Sequence, residues 1–118
     1  MRKIALAICA VALTAVTVLA ADVSGTWNVD GDVAGNPVKF PCVMKQDGEA
    51  LAGTATLEGK DVPVKGTVKD KTVTFEFDND HEGTTYHLIF TGTLDADGSL
   101  NGTIAVAGIE GTFTAKKQ

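Results

Sequence analysis

The sequence predicts a small all-β domain, in which one antiparallel sheet of eight strands closes into an up-and-down barrel. Apolar and polar residues alternate with a period of two in eight short segments of the chain. Turn residues separate these segments at distances that suit hairpins. Glycines share the parity of the large apolar residues, which is typical of a sheet curled by glycine on its concave face. A sandwich of two sheets built from the same strands is the structural alternative.

The first four strands are predicted from alternating apolar residues over 23–29, within 38–46, over 51–57 and over 62–69. Asp47-Gly48 and Glu58-Gly59 supply tight turns between them. Pro41 and Pro63 fall inside two of these segments. Because proline cannot donate to a ladder, each should mark a bulge, a strand start or a gap in the barrel wall.

The last four strands are predicted over 72–78, 84–94, 100–106 and 109–115. The turns that separate them lie over 69–71, 79–82 and 95–98 and at Gly108. The stretch 30–37 is the least regular part of the domain, and it is predicted to be a loop over one barrel end. Most connections are short, so each strand should pair with its neighbours in sequence.

One face of these strands is apolar, and a closed barrel would bury it without a second layer. Trp27 is expected near one barrel end, packed on the first and last strands with Phe113 nearby. An eight-stranded barrel is either filled by its side chains or holds one small ligand. Under the second interpretation, the candidate ligand-binding residues of the interior are Trp27, Phe40, Phe75, Phe77, Tyr86 and Phe90.

The N-terminus is predicted to be an export signal. Arg2 and Lys3 precede an apolar run over 4–19, and small residues at 18 and 20 favour cleavage after Ala20, with cleavage after Ala21 as the alternative. The signal is therefore assigned to residues 1–20 and the barrel domain to 21–118. The expected location is secreted or periplasmic.

The charge of the mature chain restricts the classes of partner. Without Arg2 and Lys3, 8 Lys face 15 acidic residues, for a net charge of −7, and no Arg remains. This excess of negative charge argues against nucleic acid as a partner and, after signal cleavage, against binding to anionic membranes. A basic protein partner is permitted.

No catalytic constellation, metal site or cofactor is predicted. Cys42 stands alone once Cys9 leaves with the signal, and its parity indicates a buried thiol. His81 and His87 are too few for zinc without help from carboxylates. Ser24 and Ser99 lack the context of an activated nucleophile. The chain is expected not to be an enzyme.

The segment Gly25-Thr26-Trp27 opens the first predicted strand. It resembles the Gly-x-Trp opening of lipocalin-like and avidin-like barrels, the calycins. That resemblance implies a binding protein whose Trp packs across one barrel end, under a basic side chain of the last strand, here Lys116. The expected function is therefore a non-enzymatic barrel that binds a small apolar ligand. The alternative is a protein-interaction module, such as an inhibitor of a basic secreted hydrolase, because the chain also looks like small periplasmic barrels that inhibit lysozyme.

Overall fold

The computed structural model describes residues 22–118 and shows the predicted barrel. Eight antiparallel strands follow one another around the wall, and the last strand pairs with the first, Trp27 opposite Lys117. The sandwich alternative is therefore set aside. The strands are β1 (Gly25–Val33), β2 (Asn36–Asp47), β3 (Ala50–Leu57), β4 (Lys60–Lys69), β5 (Thr72–His81), β6 (Thr84–Leu94), β7 (Leu100–Val106) and β8 (Ile109–Lys117).

The predicted signal peptide, residues 1–20, and Ala21 lie outside the described residues. Between residues 22 and 118, no helix is long and apolar enough to cross a membrane.

Four hairpins meet at one barrel end, which we call the mouth. Their two-residue turns are Ala34-Gly35, Glu58-Gly59, Glu82-Gly83 and Ala107-Gly108. The first residue of each turn has φ between 51° and 53°, and the glycine has φ between 78° and 86°. Positive φ at both positions is what a type I′ turn requires, and its twist matches that of the flanking strands.

The prediction of a loop over 30–37 is wrong. β1 and β2 continue to a tight turn, with Val33 opposite Asn36 in register. Asp32 Oδ1 accepts a hydrogen bond from the Gly35 amide (2.9 Å), which stabilises the turn. Val33 is buried and extends the inward face of β1.

The predicted turn over 79–82 is also shifted. β5 runs to His81, and the turn itself is Glu82-Gly83. Asn79 therefore lies in a strand, directly opposite Tyr86 of β6.

The opposite barrel end is closed by the residues that precede β1. Val23 is fully buried there, and its carbonyl oxygen accepts a hydrogen bond from Trp27 Nε1 (2.9 Å). The Val23 amide donates to Gln46 Oε1 (2.8 Å), and the Gln46 amide donates to Ser24 Oγ (3.0 Å). These bonds fasten the N-terminal segment across the end of the barrel.

The burial of Trp27 near a barrel end is confirmed, since only 1% of the residue is exposed. The basic residue above it is Lys117, whose Nζ lies 5.7 Å from the ring centroid, and not Lys116. Phe113 lies opposite Gly31 in the β1–β8 register and packs edge-on against Phe75 and Phe90 instead.

Phenylalanine rings fill the centre of the barrel. Phe90 contacts the other four rings. Its ring stacks on that of Phe75, with the centroids 4.7 Å apart, and on that of Phe77, with the centroids 5.5 Å apart. Phe40 and Phe113 meet it edge-on at 5.6 Å and 5.2 Å. Offset stacks and edge-to-face contacts are the favourable arrangements of aromatic pairs, so these rings form a well-packed core.

Several inward glycines are required by close approach of the neighbouring strand. A Cβ on Gly66 would overlap the carbonyl oxygen of Thr74, far inside the van der Waals contact distance of the two atoms. A Cβ on Gly102 would overlap the carbonyl oxygen of Thr91 in the same way. A Cβ on Gly53 would meet the carbonyl of Val43 in the same way. Glycine is therefore required at these inward positions, because any side chain would overlap the backbone of the neighbouring strand.

Two ladders of the wall stop before they reach the mouth. Pairing of β2 with β3 ends at Cys42 opposite Ala55, and pairing of β4 with β5 ends at Lys65 opposite Glu76. Among the described strands, the hairpin tip over 56–61 therefore pairs only with itself. We call this segment the β3–β4 tip and the opening beside it, between 60–64 and 77–81, the β4–β5 split.

The two prolines lie at these ladder ends. Pro41 directly precedes Cys42, the last β2 residue that pairs with β3, and Pro63 lies in the β4–β5 split. Of the three expectations for these prolines, a gap in the barrel wall is the one observed.

Candidate functional site

The mouth holds a cavity of about 530 Å³. Side chains from β1, β2, β3, β6, β7 and β8 give it an apolar lining, which consists of Val33, Val38, Leu57, Leu88, Val106 and Ile109, together with the Tyr86 ring. The polar side chains at the cavity are Asn36, Lys39, Glu58, Asn79 and His81. Ligand pockets of proteins commonly have about 300–1,000 Å³ and combine an apolar lining with a few polar groups. The mouth cavity fits that description.

The structure distributes the predicted interior site along the barrel axis. Tyr86 lies in the mouth, where 36% of the residue is exposed. Phe40, Phe77 and Phe90 lie one inward position below lining residues of the same strands and form the layer beneath the cavity.

The other two predicted site residues lie further from the cavity. Phe75 follows Phe77 one inward position deeper, and Trp27 lies at the closed end. The structure therefore brings together the phenylalanines, leaves Tyr86 above them, and separates Trp27 from the mouth.

The inward glycines do not open a chamber within the barrel. A Cβ on Gly92 would lie 2.9 Å from Phe113 Cζ and 3.1 Å from Leu100 Cδ2. At Gly102 the space is taken by the backbone of β6. Neighbouring groups therefore fill the volume that these glycines lack.

Of the predicted site residues only Tyr86 lines the cavity, and Val33 and Asn79 are among the lining residues that the sequence did not place, although their parity could have found them. Val33 has the parity of Trp27 and Val29, and Asn79 has the parity of Phe75 and Phe77. Both lie in stretches rich in Asp, Asn or Gly, which are the residues that favour turns.

Asn79 has an unusual environment. Its Oδ1 is shielded from solvent and is the one buried side-chain polar atom within residues 22–118 that has no hydrogen-bond partner. A buried acceptor without a partner costs about 1–3 kcal/mol relative to a satisfied one. Such groups in native proteins call for an explanation, and a ligand that supplies the missing donor is one of them.

A larger depression, of about 970 Å³, lies on the outer face of β1, β2, β7 and β8. Several of its polar side chains already have hydrogen-bond partners. Thr114 Oγ1 donates to Asn101 Oδ1 (2.7 Å), Asn101 Nδ2 donates to Asp95, and Gln118 Nε2 donates to Asn28 Oδ1 (2.9 Å). The lining of this depression is mainly polar and charged, whereas the lining of the mouth cavity is mainly apolar.

Charged side chains surround the β4–β5 split. His87 lies between two carboxylates on the outer face, with Nδ1 2.6 Å from Asp78 Oδ1 and Nε2 3.1 Å from Glu76 Oε1. The hydrogen bond with Asp78, assisted by the negative charges of both carboxylates, raises the pKa of His87 above its ordinary value. Lys60 Nζ donates to the Asp80 carbonyl oxygen (3.1 Å) across the split.

Cys42 is fully buried, as its parity predicted. Burial raises the pKa of its thiol to about 12, so the side chain stays a neutral core residue and not a nucleophile. In the described part of the chain, no cluster of three or more His, Cys, Asp or Glu residues is arranged to hold a metal ion.

No protein-family model matches the sequence, and neither does any curated protein.

Proposed function

We propose that this protein is an exported, non-enzymatic, calycin-like barrel that binds a small, mainly apolar molecule at its mouth. The apolar mouth cavity of about 530 Å³ is the observation that carries the proposal. The opposite end is closed by Val23 and Trp27, and the phenylalanine cluster fills the centre. A ligand would therefore rest on the core and not pass into it.

The closed end supports the calycin-like part of the proposal. Trp27 stands near the start of the first strand, is buried at a barrel end, and lies beneath a basic side chain of the last strand, Lys117. This is the arrangement that the Gly-x-Trp resemblance implied, with the basic residue one position later than expected.

Uptake of a neutral, environment-sensitive dye such as Nile red tests the proposal. The native protein should enhance the fluorescence of the dye, and a medium-chain fatty acid should displace it. Val38→Trp should reduce uptake strongly, because Val38 lines the cavity and an indole would occupy it. Val43→Trp, an exposed outward position of the same strand, is the matched control and should leave uptake unchanged. If the native protein takes up no dye, or if the two variants behave alike, the mouth is not the binding site.

The β4–β5 split favours a second candidate function, the protein-interaction module. The backbone of β5 over 77–81 pairs with β6 on one side and with no described strand on the other. The Asp80 carbonyl faces the split, since it accepts from Lys60, and residues two apart on a strand face the same edge. Asp78 and Asp80 are exposed beside this edge, so the partner that fits is an extended segment with basic residues at alternate positions.

A synthetic peptide of alternating Lys and Val residues tests this candidate. It should shift the backbone amide NMR signals of residues 77–81, and salt should weaken its binding because exposed charges are screened. The double variant Asp78→Lys/Asp80→Lys should lose binding, whereas Asp47→Lys, at the end of β2 that lies at the closed end of the barrel, should retain it. A peptide of alternating Glu and Val is the control. Equal shifts with both peptides would exclude charge recognition at this edge.

A further inference from the structure

We infer that the mouth ligand carries a hydrogen-bond donor, a hydroxyl or N–H group, next to its apolar body, and that the Asn79 carboxamide receives this donor. The inference rests on the proposed function and defines the chemical class of its ligand. An amphipathic molecule with one donor, such as a medium-chain alcohol or primary amide, is the class that fits.

The position of Asn79 supports this assignment. It is an inward residue of β5, one step nearer to the mouth than Phe77 and directly opposite Tyr86. It lines the same cavity as Leu57 and Leu88. A ligand in this cavity would therefore have the carboxamide within its lining.

The hydrogen bonding of Asn79 indicates whether the complementary ligand group is a donor or an acceptor. Its Oδ1 can accept two hydrogen bonds and accepts none, while neighbouring atoms exclude water from it. In this position Oδ1 is also out of reach of a ligand, so the proposed contact requires the carboxamide to turn toward the cavity about its terminal torsion, which is broad in Asn. Because the unpaired atom is an acceptor, the complementary ligand group is a donor.

The setting makes this contact selective. An apolar cavity binds any apolar molecule of suitable size and discriminates weakly between isosteres. A single buried polar group changes this, because a ligand without the matching group leaves it unpaired. Asn79 would therefore decide between ligands that are equal in size and apolar area.

Competition against Nile red with two isomeric ligands, 1-octanol and heptyl methyl ether, tests the inference. Both have the same atoms, but only the alcohol has a donor. The native protein should bind 1-octanol about tenfold more tightly than the ether, as one hydrogen bond to an otherwise unpaired group allows. Asn79→Leu should bind both equally, and Asn28→Leu, the same change at an exposed outward position of β1, should keep the preference of the native protein.

Thermal unfolding supplies a readout that is independent of ligand. Asn79→Leu should raise Tm, because leucine removes an unpaired buried acceptor from an apolar setting. A preference for the alcohol that survives in Asn79→Leu overturns the inference, as does equal binding of both ligands by the native protein. In either case dye uptake with displacement leaves the proposed function intact. If neither ligand nor dye binds, the proposed function itself fails.

Discussion

Replacing Trp27 with alanine should lower the free energy of unfolding by about 3–5 kcal/mol, the usual cost of truncating a buried aromatic residue. Only 1% of Trp27 is exposed, and its indole N–H binds the Val23 carbonyl. The variant therefore loses apolar contacts and also unfastens the segment that closes the barrel end. Urea unfolding followed by circular dichroism measures the change.

Lys117→Ala is the control for this prediction. It removes the cation above the ring but keeps the indole, and a cation–π contact at an exposed site contributes about 0.5–1 kcal/mol. Trp27→Ala should thus be several times more costly than Lys117→Ala. If the two changes cost the same, Trp27 is not the main packing element of the closed end.

Gly66→Ala and Gly102→Ala should each destabilise the protein by about 3 kcal/mol or more, at the upper end of what overpacking costs. At both positions the new methyl group would overlap a backbone carbonyl oxygen of the neighbouring strand. A backbone atom cannot move aside as the end of a flexible side chain can, so the strand itself must shift. Chemical unfolding of each variant measures the loss.

Gly59→Ala separates this steric effect from the loss of glycine as such. Gly59 has a φ of 79°, and beyond its chain neighbours no heavy atom lies within 4 Å of the point that a Cβ would occupy. Alanine there should cost only about 1–2 kcal/mol, from the left-handed backbone alone. A larger loss at Gly59 than at Gly66 and Gly102 would contradict the close approach of strands as the reason for the inward glycines.

The barrel could be predicted from sequence because the period of two is a property of single strands. Apolar side chains at alternate positions of β3, β6 and β7 indicate which face of each strand is inward, and the short turns leave nearest-neighbour pairing as the simplest arrangement. No long-range information was needed to place Phe75, Phe90 and Ile104 in one core.

The misplaced turns have a common physical origin. Asp30, Asp32 and Asp80 are outward residues of long strands, but Asp and Asn also favour turns because their side chains bind the local backbone. Local chemistry cannot tell these cases apart. Pairing with the neighbouring strand decides, and it extends β1 to Val33 and β5 to His81.

The site was harder to predict than the fold because parity gives the face of a residue and not its depth. Tyr86 and Phe90 have the same parity, yet one lies at the mouth and the other at the centre of the core. Depth depends on where each hairpin turns and on how the strands are staggered around the barrel. The turn positions and the stagger involve all eight strands, so they cannot be predicted from the sequence of any single segment.

The β3–β4 tip has a consequence for the dynamics of the molecule. Because its backbone is not joined to β2 or β5 by ladder hydrogen bonds, this segment can swing outward without breaking a ladder that closes the barrel. Local opening of this kind requires only a fraction of the free energy of global unfolding. Leu57 lies on this segment and lines the mouth, so the same excursion widens the entrance while the phenylalanine core stays packed. For the proposed ligand, exchange through the mouth would then not require the core to unfold.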